Sequence, residues 1–331
     1  MNNPERKRIN SLTGIQVSTF LLIFLWHADF PKPAIDIGAR GCEILYLISG
    51  FLIAYNHFYD ETDLRKSLCN ALKRYLKYLP LHLTTLIAAK IIINNSYDLF
   101  ATILNGLLLQ SWAKDVYVAM SYNGAAWFLS ALLFCYFSGS VFMRYLRKYD
   151  GKILFSVTFL IRFLFEYLNS VLSLGFNIHT FAFVRMLEFL MGMELYSIFS
   201  SFEDKQLSSR MCSVLEILSF VIYVLLCRIF NDLLPRSMFV LFFCPLLLIF
   251  SFDRGILSKI LSFRIFSLFK GIQFQFYMWH INIINLVVLN IGGITWYIKT
   301  ALMFVMTIAV SLISKYADNI IYRKVDEIFP D

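Results

Sequence analysis

Ten apolar stretches, each close to the length a helix needs to cross a bilayer, divide this chain. They run approximately Ser11–Ala28, Gly41–His57, Tyr78–Asn94, Ala125–Met143, Ile153–Val171, Thr180–Phe199, Ser213–Phe230, Met238–Phe252, Ile272–Ile291 and Thr295–Ser314. A chain that is 59% hydrophobic and 16% charged has more apolar surface than a water-soluble fold of 331 residues can bury, so lipid is the expected solvent for much of it. The fold class read from this pattern is all-α: a polytopic integral membrane protein of about ten transmembrane helices, one domain over residues 1–331, with short cytoplasmic tails at about 1–10 and 315–331. The segment Leu99–Trp112 is apolar but short and is interrupted by Asn105 and Gln110, so it reads as an interfacial or re-entrant piece.

Charge gives the orientation. With the N-terminus in the cytoplasm, 21 of the 30 basic residues fall in inward segments and five in outward ones (Lys32, Arg40, Lys114, Arg228 and Arg236), as the positive-inside rule requires of an even span count. Short basic clusters between apolar spans also account for the net charge of +8 without a nucleic-acid partner. The start MNNPERKRIN before a Leu/Phe run lacks a small-x-small cleavage site and predicts an uncleaved first span. Six scattered cysteines form no CxxC, which predicts buried free thiols and no metal site. P-loop, GxSxG and HExxH motifs are absent.

Polar groups at membrane depth are expensive and therefore mark candidate sites. His27 ends span 1 at the outer face, and Gln16 shares its helix face about 16 Å away. Glu43 opens span 2 at the same end and is placed to orient His27 as a general base, against the plainer reading of a loop carboxylate. Ser49-Gly50 on span 2 suit close approach of either a ligand or a neighbouring helix. Lys73, Arg74 and Lys77 precede span 3, where Arg74 and Lys77 face the same way as a phosphate cradle or serve as topology charges. Arg185 and Glu188 lie inside span 6 as a neutralising pair or the wall of a polar cavity. His280 sits mid-span 9 with Tyr277 and Trp279.

Six blocks in this order resemble the membrane-bound acyltransferase-3 family, which acylates bacterial surface polysaccharides. They are LTGIQVSTFLLIFLWHA (Leu12–Ala28), GCEILYLISGFLIAY (Gly41–Tyr55), KRYLKYLPLHL (Lys73–Leu83), AAWFLSALLFCYF (Ala125–Phe137), FVRMLEFLMGMELY (Phe183–Tyr196) and FYMWHINII (Phe276–Ile284). The resemblance implies a multi-pass enzyme of the bacterial inner membrane that transfers an acetyl group from acetyl-CoA, a co-substrate and not a bound cofactor, to a hydroxyl of a saccharide that can be lipid-linked. It makes His27 the base and Glu43 its partner, puts the donor on Arg74, Lys77, Lys73, Ser49 and Gly50, and assigns Gln16, Trp127, Arg185, Glu188, Tyr277 and His280 to the channel or acceptor. Two positions depart from the family pattern: Gln16 stands where the first helix of the family has an arginine, and Lys77 replaces the second arginine of its RxxR. The alternative from another class is a non-enzymatic flippase for a lipid-linked saccharide, which needs no phosphate cradle.

Overall fold

The computed structural model describes residues 7–29, 37–58, 64–205, 207–231 and 233–329. Arg6 and Lys32, two of the charges that orient the chain, lie outside them, as do the last two residues of the C-terminal tail. The described residues form helices without strands: α1 (Asn10–His27), α2 (Ile37–His57), α3 (Leu64–Ile93), α4 (Leu99–Gly106), a 3-10 turn (Gln110–Trp112), α5 (Val116–Ala119), α6 (Ala126–Lys148), α7 (Gly151–Val171), α8 (Ala182–Ser200), α9 (Ser209–Phe230), α10 (Arg236–Phe250), α11 (Ile256–Leu261), α12 (Arg264–Lys270), α13 (Gln273–Asn290) and α14 (Trp296–Ile328). Four of these, α3, α6, α9 and α14, are long and apolar enough by themselves to cross a membrane. A fifth joins them if α12 and α13, which meet at a 70° bend, count as one span. The other apolar stretches are helical too; α10 is only 15 residues long, and polar residues dilute others, as in α8 with Arg185, Glu188 and Glu194, all fully buried in protein.

Packing sorts the helices into inner and outer. α8 is buried along nearly its whole length, against α2, α6 and α7. Glycines let α2 and α8 touch backbone to backbone: a Cβ on Gly50 would run into the Phe189 carbonyl, and one on Gly192 into the Leu47 carbonyl. By contrast α7, α9 and α14 expose rows such as Ile153, Leu160 and Leu164, or Val214, Leu218 and Ile222, which is the surface expected where lipid is the solvent.

The segment read as interfacial or re-entrant divides into α4, the 3-10 turn and α5. Its apolar Leu99, Phe100 and Ile103 point outward, whereas Asn105 and Gln110 are completely buried. Asn105 donates to the Ser121 hydroxyl at 2.6 Å, and its carbonyl meets His82 Nε2 at 2.7 Å. Just beyond, the Asn123 amide donates to the Met278 carbonyl of α13 at 2.8 Å. Buried amides thus fix this segment to α3 and α13 and hold α13 in place around His280. The expected C-terminal tail continues α14 as helix to Ile328.

Candidate active site

Helix α1 brings its last residue, His27, to the wall of the bundle. The helix stops there because Ala28 closes it on the Phe24 carbonyl and Asp29 takes a left-handed backbone (φ 51°). Trp296 of α14 donates its indole N–H to the Ala28 carbonyl at 3.2 Å and fixes the end.

Facing His27 is His280 of α13. His280 Nε2 lies 3.1 Å from His27 Nδ1, and the rings are 5.0 Å apart. The other nitrogen of His280, Nδ1, contacts the Tyr277 carbonyl. A carbonyl only accepts, so His280 Nδ1 carries the proton and its Nε2 is an acceptor. His27 faces two acceptors, His280 Nε2 at its Nδ1 and the Ile23 carbonyl of its own helix; the tautomer protonated on Nδ1 serves the pair and keeps a lone pair on Nε2, the form of imidazole that takes a proton from a hydroxyl. Tyr277 packs beside the pair, its ring 5.2 Å from Phe20 and 5.2 Å from His280.

Glu43 does not hold His27. Its carboxylate takes Arg236 at 2.8 Å and stands 3.8 Å from Arg185. Arg185 also binds Glu188 at 2.6 Å; Glu188 binds Arg162 at 3.3 Å; Arg162 binds Glu166 at 2.9 Å. Glu166 in turn accepts from the Arg236 and Ser237 backbone amides at 2.8 and 2.9 Å, capping α10. The expected neutral pair Arg185–Glu188 is therefore the centre of a six-membered ion network across α2, α7, α8 and α10. A buried carboxylate gains more from two guanidinium groups than from a neutral ring, which explains why Glu43 joins the network and not the histidine.

Eleven residues before His27 on α1, Gln16 is buried and its amide oxygen accepts from Lys270 Nζ at 2.7 Å. Lys270 of α12 thus brings a cation to the position where the resemblance expects an arginine.

Donor residues separate in space. Arg74 lies over the Tyr136 ring at 4.3 Å and lines a small cleft of about 70 Å³, together with His57, Ser67, Asn70 and Ser140. Lys73 and Lys77 bind Asp326 of α14 instead, at 3.0 and 2.7 Å, and these contacts hold the Asp326 carboxyl below the usual carboxylate range. Arg74 therefore faces Tyr136 while Lys73 and Lys77 face Asp326. Gly50 packs on Phe189, so the room expected there for a donor arm is filled by α8; Ser49 beside it is half-buried.

Trp127 is buried with its ring 4.7 Å from that of His179, which lies between α7 and α8 and carries no motif in the sequence. His179 lies within electrostatic reach of Arg185, Arg236 and His27.

The two polar ends are joined by one helix. α14 touches the end of α1 through Trp296 and the start of the third span through Asp326, residues about 45 Å apart along a helix rising 1.5 Å per residue. That is the thickness of a bilayer with its headgroups.

A family model described as an acyltransferase domain, that of the acyltransferase-3 family, matches residues 9–316. The chain is also similar to the acyltransferase MdmB of Streptomyces mycarofaciens, 26% identical over 168 residues. That match covers 44% of this chain and 42% of MdmB, so less than half of the relative's length is spanned. No solved structure matches.

Proposed function

The chain belongs to the acyltransferase-3 family, and on that premise we propose that this membrane acyltransferase moves an acetyl group from acetyl-CoA to a hydroxyl of a cell-surface or lipid-linked saccharide. The observation that carries this reading is the His27–His280 contact at one end of α1, which suits the His27 tautomer with an unprotonated Nε2. In the transfer, His27 Nε2 takes the acceptor's hydroxyl proton as the oxygen attacks the thioester carbonyl carbon. The C–S bond breaks, and the departing thiolate recovers the proton from the imidazolium, giving the acetyl ester and free CoA. His280 acts through His27: it fixes the tautomer and ring orientation of the base.

The donor enters from the opposite face, with its phosphates at Arg74 in the cleft beside Tyr136. Ten spans, both termini in the cytoplasm and a bacterial inner membrane complete the proposal. It is supported by the 21-to-5 division of basic residues and by a helix, α14, long enough to link the two ends.

The test uses purified protein in lipid nanodiscs with acetyl-CoA labelled in the acetyl group. Wild type is expected to bind the donor and to release or transfer label, and His27→Ala to bind it without turnover. A wild-type protein that neither binds nor consumes acetyl-CoA would exclude the reading.

A further inference from the structure

On the face of α1 that turns away from His27, a cleft of about 440 Å³ separates α1 from α9. Ile15, Ser18 and Leu22 form its α1 wall at i, i+3 and i+7, and all three are only half-buried. Phe243, Leu246 and Phe250 of α10 close the back and are buried, whereas Phe220 of α9 and Ile260 of α11 stand exposed at the mouth. Along α1 the cleft covers about 10 Å, most of the roughly 15 Å depth of one leaflet's hydrocarbon.

The floor of the cleft is built by α11. Glu216 of α9, completely buried, accepts from the Gly255, Leu257 and Ser258 amides at 2.9, 2.9 and 3.1 Å and from the Ser258 hydroxyl at 2.5 Å. At its other end α11 touches α1 so closely that a Cβ on Gly14 would run into the Leu261 carbonyl. The short helix is thereby clamped between α9 and α1, holds them apart, and turns Leu257, Ile260 and Leu261 into the gap.

The lining selects an apolar occupant. Aliphatic and phenyl groups dominate it, and the Thr19 hydroxyl is spent on the Ile15 carbonyl at 2.8 Å. Interiors are close-packed, and an apolar space of this size does not hold water, so a gap open to the bilayer fills with hydrocarbon. At the floor the chemistry changes sign. Arg254 precedes α11, Lys259 lies on it and Arg264 opens α12; all three are exposed, and none has an ion pair among the described residues. Asp253 beside them is engaged by the Asn10 and Ser11 amides at 3.2 and 3.0 Å. Long basic side chains can bring their charge to the rim of the floor. An apolar slot ending at a basic rim matches an amphiphile with an anionic head.

We propose that the α1–α9 cleft is a binding site for an anionic phospholipid of the bilayer, with a fatty-acyl chain in the cleft and the phosphate at Arg254, Lys259 and Arg264. The site is independent of the acyltransferase reading, since its walls include neither histidine of the pair nor Arg74.

The test is native mass spectrometry of the full chain in detergent with equimolar phosphatidylglycerol and phosphatidylcholine carrying the same oleoyl chains. Wild type is expected to retain a single phosphatidylglycerol over phosphatidylcholine by at least about tenfold. Lys259→Gln combined with Arg264→Gln is expected to bind the two lipids alike. Ser18→Phe, which puts a ring into the cleft, is expected to lose both; Val224→Phe fills the same space from α9 should Ser18→Phe not fold. Equal retention of the two lipids by wild type would mean annular lipid only and overturn the inference. Retention unchanged in the filled variant, or a preference unchanged in the charge variant, would overturn it too. A phosphatidylglycerol with a diazirine at its chain end gives a readout on wild type alone. Crosslinks are expected at the α1, α9 and α10 residues of the cleft, and labelling no denser there than on the exposed row of α7 overturns the site.

Discussion

His280 Nε2 faces His27 Nδ1 across 3.1 Å, and contacts outside the pair fix both helices: Trp296 on the Ala28 carbonyl at the end of α1, Asn123 on the Met278 carbonyl within α13. A histidine in this arrangement fills the orienting role that a carboxylate fills elsewhere, without placing a second charge beside the base.

The pair predicts graded losses. His27→Ala removes the base and should reduce transfer by 10²–10⁴-fold. His280→Gln keeps an acceptor that can reach His27 Nδ1, so it should cost less than His280→Ala, which frees the ring. Rates of acetyl transfer at matched protein levels decide. Equal loss for the two His280 variants would mean that His280 does not act through this hydrogen bond.

Glu43→Gln should behave as a stability variant. Its carboxylate answers Arg236 and Arg185, and removing one partner of a buried ion pair costs about 3–5 kcal/mol. The purified variant should unfold at clearly lower temperature than wild type. A variant that melts like wild type but has lost its activity would restore Glu43 to the role of orienting the base.

Arg74 and Lys77 should separate. Arg74→Ala removes a charge-assisted contact worth about 1.5–3 kcal/mol, so acetyl-CoA affinity should fall at least about tenfold. Lys77→Ala breaks an exposed pair with Asp326, a kind of contact that contributes little, and should leave affinity nearly unchanged. Isothermal titration with acetyl-CoA reads both; an unchanged Arg74→Ala constant would return the cluster to a topology role.

What the sequence made legible was periodicity and identity. Apolar runs gave the helices, and the resemblance gave the family, since both are local patterns. Contacts between distant segments were not legible. Nothing near Glu43 in the chain announces Arg236, nearly two hundred residues on, and nothing near Gln16 announces Lys270. The Gly50–Phe189 contact was available in outline, because a small residue on an apolar helix marks close packing as readily as ligand access. His179 carries no local signal at all: a single histidine in a loop between two spans acquires meaning only when α6 places Trp127 against it. The i, i+4 spacing of Arg162 and Glu166 is legible as a pair within α7, whereas the Arg162–Glu188 contact that ties it to α8 is not.

Topology is open to direct measurement. A reporter joined after Phe329 and another in the loop at Lys205 should both report the cytoplasm if ten spans are right. A C-terminal reporter on the outside would exclude an even count. Both loci lie at the ends of described helices, so neither fusion interrupts packing.

The last prediction concerns the cation on α12. Read from the sequence alone, Gln16→Arg restores a family residue and should be tolerated. The structure reverses that expectation, because the Gln16 amide oxygen already accepts from Lys270 at 2.7 Å inside the protein. A guanidinium there would face an ammonium group at contact distance, in surroundings too dry to screen it. Gln16→Arg alone should therefore lower activity and folded yield. Lys270→Gln alone should also lower activity, since it removes the one cation that Gln16 holds. Together the two changes move the positive charge from α12 to α1 and give the new arginine an amide partner, so the double variant should regain much of what either single change loses. The quantity to extract is the coupling in a double-mutant cycle on acetyl-CoA turnover, with yield measured alongside. Losses that simply add would show that the two residues act independently, and a fully active Gln16→Arg would show that Lys270 does not occupy the arginine's place.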